Sequence, residues 1–169
     1  MKKDVVAGLG EIGLPICKII SRNFPVYGYD TDKKLIPNNP KKFENYPVRF
    51  LHICIPYSKF FLPNVLKLNK KFLPESIIVH STIKPKTTQN LQKKLSIPII
   101  YSPTRGVHKR MTLDLKRYTK FFALENKTKN SALISKNYVN LMKKCGIKTK
   151  RLSNPITLEL SKIICDTSY

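Results

Sequence analysis

The chain opens on Asp4-Val5-Val6-Ala7-Gly8-Leu9-Gly10-Glu11-Ile12-Gly13-Leu14-Pro15-Ile16, and this stretch decides the reading of the fold. A short apolar strand runs straight into Gly-x-Gly-x-x-Gly. Behind it Ile12, Ile16, Ile19 and Ile20 recur at helical spacing, which predicts a helix from Ile12 to about Asn23. In a strand, turn and helix of this order each glycine has a task. Gly8 allows the tight turn, Gly10 keeps side-chain atoms away from an approaching pyrophosphate, and Gly13 lets the helix pack closely on the strand. The helix start, with the amides of Glu11 and Ile12 in its turn, offers N–H donors and a partial positive charge to a phosphate.

Working outward, Pro25-Val26-Tyr27-Gly28-Tyr29 reads as a second strand that ends at Asp30. That acid stands about twenty residues beyond the fingerprint, where a carboxylate accepts the hydroxyls of a ribose. Asp30 would repel a 2′-phosphate, so NAD is favoured over NADP as cofactor. Lys33 and Lys34 follow closely and could accept a phosphate, and Lys34 joins the expected cofactor-binding set. The alternative is a glycine turn that only joins a strand to a helix, with Asp30 an ordinary loop acid.

The rest of the chain keeps the alternation. Residues 31–48, with Pro37, Pro40 and Pro47, read as a loop with room for one helical turn. Strands are expected at Phe50–Ile55, Ser76–His80, Ile97–Tyr101, Tyr118–Leu124 and Ile147–Leu152. Helices are expected at Phe60–Phe72, Thr87–Leu95, Asn130–Lys144 and Pro155–Tyr169. The second of these is read as capped by its threonines, the third as closed by Gly146 and the fourth as started by Pro155. Several strands are apolar without alternation, so both sheet faces are covered. The pattern predicts a single α/β domain, a Rossmann-type doubly wound parallel sheet with helices on both faces. Residues 1–154 form the NAD-binding domain, and 155–169 begin a further helix.

Composition excludes other classes. The 169 residues are 41% hydrophobic and 25% charged, a globular balance. No apolar run is long enough to cross a bilayer, and the start lacks the features of a signal peptide, so a cytoplasmic protein without membrane contact is expected. Cys17, Cys54, Cys145 and Cys165 stand far apart without metal-ligand spacing, and are read as free, mostly buried thiols with no metal. Lys plus Arg number 32 against 10 acids, giving a net charge of +22 and an isoelectric point near 10.0. This excess is mostly Lys, is spread along the chain and accompanies no nucleic-acid-binding motif, so nucleic acid is not the expected partner. His52 and His80 fall inside apolar strands and are read as core histidines. Asn126-Lys127-Thr128 matches a glycosylation sequon without meaning for a cytosolic chain.

Gly8-Leu9-Gly10-Glu11-Ile12-Gly13-Leu14-Pro15 followed by Gly28-Tyr29-Asp30 resembles the start of the UDP-glucose/GDP-mannose dehydrogenase family. Later segments agree in order. Cys54-Ile55-Pro56 is similar to the family's Cys-Val-Pro, and Ser81-Thr82-Ile83-Lys84-Pro85-Lys86-Thr87-Thr88 to its Ser-Thr-Val-x-Pro-Gly-Thr-Thr. Tyr101-Ser102-Pro103 matches the Ser-Pro before its active-site loop, and Thr157-Leu158-Glu159-Leu160-Ser161-Lys162 resembles the Ala-Glu-x-x-Lys that starts its long central helix.

The resemblance implies an NAD-binding domain of an oxidoreductase that oxidises the C6 alcohol of a nucleotide sugar. It places Thr82 beside the nicotinamide end as the candidate catalytic residue, with a strand-end cap as the alternative, and has Pro56 shape the loop over the cofactor. The family's catalytic cysteine belongs to a region beyond Tyr169, so Cys165 is read as a packing residue and the chain as incomplete for catalysis alone. Self-association or a separate catalytic partner is expected to cover the last helix. Where the family carries glutamate after Ser-Pro, this chain has Thr104, which cannot replace a carboxylate as a base at neutral pH. The stretch Arg105 to Lys120 carries seven basic residues, counting His108. Arg105 and His108 are candidates for holding a phosphorylated or nucleotide-linked substrate, and a solvated basic loop is the alternative. A non-catalytic dinucleotide-binding module is the competing function.

Overall fold

A computed structural model of the chain describes residues 1–37, 43–106, 108–125 and 128–167. Pro40 and the Asn126-Lys127 of the sequon lie outside the described residues. Thirteen regular elements follow one another: β1 (Lys3–Ala7), α1 (Gly13–Ser21), β2 (Val26–Tyr29), β3 (Val48–Ile53), α2 (Phe61–Phe72), β4 (Ser76–Val79), α3 (Thr87–Gln92), β5 (Ile99–Tyr101), α4 (Met111–Arg117), β6 (Lys120–Leu124), α5 (Ser131–Lys144), β7 (Thr149–Arg151) and α6 (Pro155–Thr167). A 3-10 turn forms at Lys33–Leu35 in the loop after β2.

The seven strands form one sheet in the order β2-β1-β3-β4-β5-β6-β7. Chain order and spatial order part between β1 and β3. The chain moves from β1 to β2 on one side, then crosses back to β3 on the other. In open α/β sheets that reversal opens a crevice at the carboxyl ends of the strands.

Val5, Leu51, Ile53, Ile77, Val79 and Ile99 face one layer, closed by α2, α3 and α6 through Phe61, Val65, Leu91 and Leu158. Val6, Phe50, Ile78, Ile100 and Phe122 face the other, closed by α1, α4 and α5 through Ile16, Ile20, Leu115 and Tyr138. Helices on both sides cover the central strands, which is why these read as apolar runs, while the edge strand β7 is exposed.

The α/β class, the seven strands and the single sheet are as the sequence predicts. Three local expectations are corrected. The sheet is not wholly parallel: β6 pairs with β5 antiparallel, with Ile100 opposite Leu124 and Tyr101 opposite Ala123. The basic stretch from Arg105, for which a solvated loop is the alternative reading from sequence, contains the helix α4, with Met111 and Leu115 buried one turn apart. The α3 threonines are not caps: the cap position is Lys86, left-handed at φ 70° and without a side-chain cap bond. Thr88 instead donates its N–H and hydroxyl to Glu159 Oε1 at 2.9 and 2.7 Å, while the Lys86 N–H donates to Oε2 at 2.6 Å. The buried Glu159 thereby pins α6 to the start of α3.

The other helix ends follow expectation. Gly146 closes α5 at φ 74°. Pro155 opens α6, where Asn154 caps by accepting from the Ile156 N–H at 2.7 Å.

Candidate functional site

Parallel strands put successive carboxyl ends along one edge, so residues far apart in the chain become neighbours there. In spatial order the edge carries Asp30 after β2, the glycine turn after β1, Pro56 after β3, Thr82 after β4 and Thr104 after β5. Because β6 runs antiparallel, its first residue, Lys120, reaches the same edge.

The glycine turn is built tightly. Gly8 has φ 90°, and a Cβ there would lie 2.9 Å from the backbone C and O of Cys54. A Cβ on Gly13 would fall 1.6 Å from Gly8 O, so only hydrogen fits between helix and turn. Gly10 differs: a Cβ on it would meet nothing within 4 Å. Among the described residues no atom requires glycine there, which leaves a cradle open outward. The α1 start carries no side-chain cap; the Leu14 N–H donates to Gly10 O at 3.0 Å and the Ile16 N–H to Ile12 O at 3.3 Å. Glu11 is exposed and Ile12 half-buried at the helix entry. The Asp30 carboxylate is tied to the turn: Oδ2 accepts from the Leu9 N–H at 2.6 Å and Oδ1 from the Asp32 N–H at 2.9 Å. The open cradle at the helix start and the adjacent carboxylate fit a pyrophosphate followed by a ribose.

Lys34 is exposed in the 3-10 turn beyond Asp30. Pro56 is exposed and Thr82 half-buried, both beside the crevice. Ser81 fixes the neighbouring backbone by donating to Ile55 O at 2.6 Å.

A row of polar side chains runs under this edge on the α1/α4/α5 face. Arg49 grips Asp4 through Nε at 2.9 Å and Nη2 at 2.8 Å. Asp4 Oδ2 lies 3.6 Å from His52 Nε2, and His52 Nδ1 is 2.9 Å from His80 Nε2, the rings stacked. Burial alone would raise the Asp4 carboxyl, but His52 and Arg49 outweigh it and hold it below the usual carboxylate range. Burial, then the nearby Lys120 and His52, keep His80 well below the ordinary imidazole value. The two histidines are core residues, as read from sequence.

Lys120 ends the basic stretch from Arg105 and falls in the strand expected at Tyr118–Leu124. It is buried at the start of β6, where its Nζ donates to Ser102 O, Pro103 O and Thr104 Oγ1 at 2.8, 3.0 and 3.1 Å. Burial pushes the ammonium down to about 7. Thr104 is itself buried, and its N–H donates to His80 O at 3.2 Å, beside Ser81 and Thr82.

Next to this group, α4, β6 and α6 enclose a cavity of about 770 Å³ lined by Pro103, Arg105, Arg110, Asp114, Lys120 and Lys162 among others. Arg105 is exposed, with its guanidinium over the Tyr118 ring at 5.5 Å. His108 begins the 3-10 turn before α4, and its side chain lies outside what is described. Cys165 is exposed and lines the cavity with Ser161, so it is not the packing residue expected from sequence. Cys17 and Cys145 are buried and Cys54 half-buried. Among the described residues no three His, Cys, Asp or Glu side chains gather as a metal site, and no helix is long and apolar enough to cross a membrane.

Of the cavity residues, Asp114 has no place in the sequence reading, while Lys120 enters only as the end of the basic stretch and Lys162 only as part of the Thr157–Lys162 motif. The Met111–Leu115 spacing around Asp114 was the available signal for α4. Lys120 carried none, since its partners come from a different strand end.

Scans of protein families and of curated protein sequences find no match. Solved structures do match. A UDP-D-ManNAc dehydrogenase from Pyrococcus horikoshii superposes with a TM-score of 0.79 at 18% identity, covering 98% of this chain and 50% of that one. A UDP-N-acetyl-mannosamine dehydrogenase from Staphylococcus aureus gives 0.75 at 17%, over 99% and 51%. A UDP-glucose dehydrogenase from Pyrobaculum islandicum gives 0.74 at 13%, over 98% and 49%. The chain thus spans about half the length of these structures. At these identities the likeness is one of fold: a Rossmann-like α/β domain shared with UDP-sugar dehydrogenases.

Proposed function

We propose that the chain is the NAD-binding domain of a nucleotide-sugar dehydrogenase-like oxidoreductase. The observation that carries this reading is the join between the glycine turn and Asp30: the Leu9 N–H donates to Asp30 Oδ2 at 2.6 Å, directly beside the open cradle at Gly10. In this reading Gly8, Gly10 and Gly13 shape the turn, and the backbone of Gly10, Glu11 and Ile12 faces the pyrophosphate. Asp30 receives the adenosine ribose and disfavours a 2′-phosphate, so NAD is preferred to NADP. Lys34 lies where it can approach the adenosine phosphates. Pro56 and Thr82 border the nicotinamide end, with the Thr82 hydroxyl toward cofactor or substrate. A bound nicotinamide supplies the hydride acceptor for an alcohol.

The substrate then enters from the cavity of α4, β6 and α6, where Arg105, Arg110 and Lys162 suit the phosphates of a nucleotide sugar. Arg105 and His108 are the proposed substrate-holding residues. The structural likeness covers half of each UDP-sugar dehydrogenase, so the rest of a substrate site belongs to further chain, a second copy or a separate partner in the cytoplasm. Thr104, standing where the resembled family has glutamate, favours a second reading, a dinucleotide-binding module without chemistry.

Isothermal titration with NAD+ and NADP+ tests the proposal. NAD+ binding that weakens in Asp30→Ala, with NADP+ binding more weakly than NAD+ to the unaltered protein, supports it. Absence of binding by either dinucleotide refutes it. Turnover of UDP-glucose or UDP-N-acetylmannosamine with NAD+ separates the dehydrogenase from the non-catalytic module.

A further inference from the structure

Resting on the oxidoreductase reading above, we propose that Thr104 and Lys120 form a proton-relay pair, in which Lys120 works through the Thr104 hydroxyl to take up the proton of a substrate alcohol.

The geometry carries the argument. Lys120 Nζ is buried among three acceptors, the carbonyls of Ser102 and Pro103 and the hydroxyl of Thr104, at 2.8, 3.0 and 3.1 Å. An ammonium has three N–H bonds and uses all three contacts as donor. A neutral amine has two N–H bonds and a lone pair. The two carbonyls can only accept, so they take the two N–H bonds, and the lone pair is left facing Thr104 Oγ1. The same heavy-atom arrangement therefore serves both protonation states. Only the Thr104 proton changes side.

The surroundings suit an exchangeable proton. No carboxylate pairs with Lys120 among the described residues, so a buried positive charge there meets only neutral acceptors. The groups that face it are the Cys54 thiol after β3, His80 at the end of β4, Tyr138 of α5 (bonded to Ser102 Oγ at 2.7 Å) and Lys162 of α6. Arg105, Arg110 and Asp114 share its cavity. Burial lowers the ammonium, Cys54 opposes this and Lys162 adds to it, and the outcome is about 7. That value suits a group which must both gain and lose a proton near neutrality.

The step balances without a further reactant. The substrate O–H bond breaks and its proton forms a new O–H on Thr104. The original Thr104 proton ends on Nζ as the third N–H of an ammonium. The pair moves no electrons, the oxidant being the nicotinamide dinucleotide already proposed. A threonine alone is no base at this pH, but a hydroxyl backed by a neutral amine is the arrangement that activates Ser–Lys pairs. The place is suitable too, since the Thr104 N–H bonds His80 O and so sits beside Ser81 and Thr82. Thr104 touches the substrate in this account; Lys120 is a positioning and proton-holding residue behind it.

The test is an NMR titration of the full chain with 13C-labelled lysine, following Lys120 Cε from about pH 5 to about pH 11. It is run on the unaltered protein, Thr104→Val and Thr104→Ser, with NAD+ affinity measured by calorimetry on the same samples. Lys120 is expected to titrate near 7. In Thr104→Val the charged form loses an acceptor, so the midpoint falls further, by about one pH unit, and Thr104→Ser restores it. A Lys120 that stays protonated into the ordinary lysine range, or a midpoint indifferent to Thr104→Val, overturns the relay. If NAD+ still binds in that case, the cofactor reading stands without the relay. If Lys120 titrates as expected but NAD+ does not bind, the cofactor reading fails and takes the chemical role of the pair with it.

Discussion

Gly10→Ala separates what the fold needs from what the cofactor needs. A Cβ on Gly10 meets no atom within 4 Å, and Gly10 is not among the residues with positive φ. The folded chain therefore accepts alanine without strain, while the unfolded chain loses freedom. The expected gain is about 0.4–1 kcal/mol, roughly 1–4 °C in Tm for a chain of this size. Binding moves the other way. The added methyl occupies the space through which a pyrophosphate reaches the turn, and losing one charge-assisted hydrogen bond costs about 1.5–3 kcal/mol, roughly 10- to 150-fold in Kd. Gly13→Ala is the control. Its Cβ would lie 1.6 Å from Gly8 O, a backbone collision that opens the turn and costs roughly 3 kcal/mol or more, about 6–12 °C. Thermal unfolding and NAD+ calorimetry on both variants give the readout. Gly10→Ala binding NAD+ as tightly as the unaltered protein would refute the reasoning, and so would a Gly10→Ala as unstable as Gly13→Ala.

Other expectations follow from the same contacts. Lys86 is left-handed at φ 70° where the resembled motif has glycine, so Lys86→Gly should raise stability by about 1 kcal/mol in urea unfolding; a loss would contradict the strain. Removing one partner of the buried Arg49–Asp4 pair strands the other, and Arg49→Met should cost about 3–5 kcal/mol in the same assay. Asp4 and His80 both titrate below their ordinary values in the folded chain, so the unfolded chain binds more protons than the folded one as acid is added. The His80 contribution is intact above about pH 6.5 and the Asp4 contribution above about pH 4, and each is lost as pH falls through its folded value. Lys120 has a folded value of about 7 against 10.5, so stability should climb between these values, and Lys120→Met should flatten that slope; a slope equal in the variant would rule Lys120 out as its source.

The sheet was legible because buried parallel strands must be apolar on both faces, and Val5-Val6-Ala7 and Ile77-Ile78-Val79 show it directly. Strand direction was not legible, since the residues of β6 are as apolar in either orientation. The helix α4 was masked by its exposed basic residues, although Met111 and Leu115 carry the spacing. The glycine turn and Asp30 could be read because their spacing is local. Lys120 could not, because its meaning depends on a register that sets it opposite Thr104. Glu159 and Thr88 were both noticed as motif residues, yet only the packing of α6 on α3 shows that they bond each other.

The most direct test of the central claim is amide chemical-shift mapping of the 15N-labelled chain during NAD+ titration. The account predicts saturable shifts concentrated at Leu9, Gly10, Glu11, Ile12 and Gly13, extending to Asp30 and Thr82 and lost in Asp30→Ala. Shifts elsewhere on the surface, or none at millimolar NAD+, would contradict it.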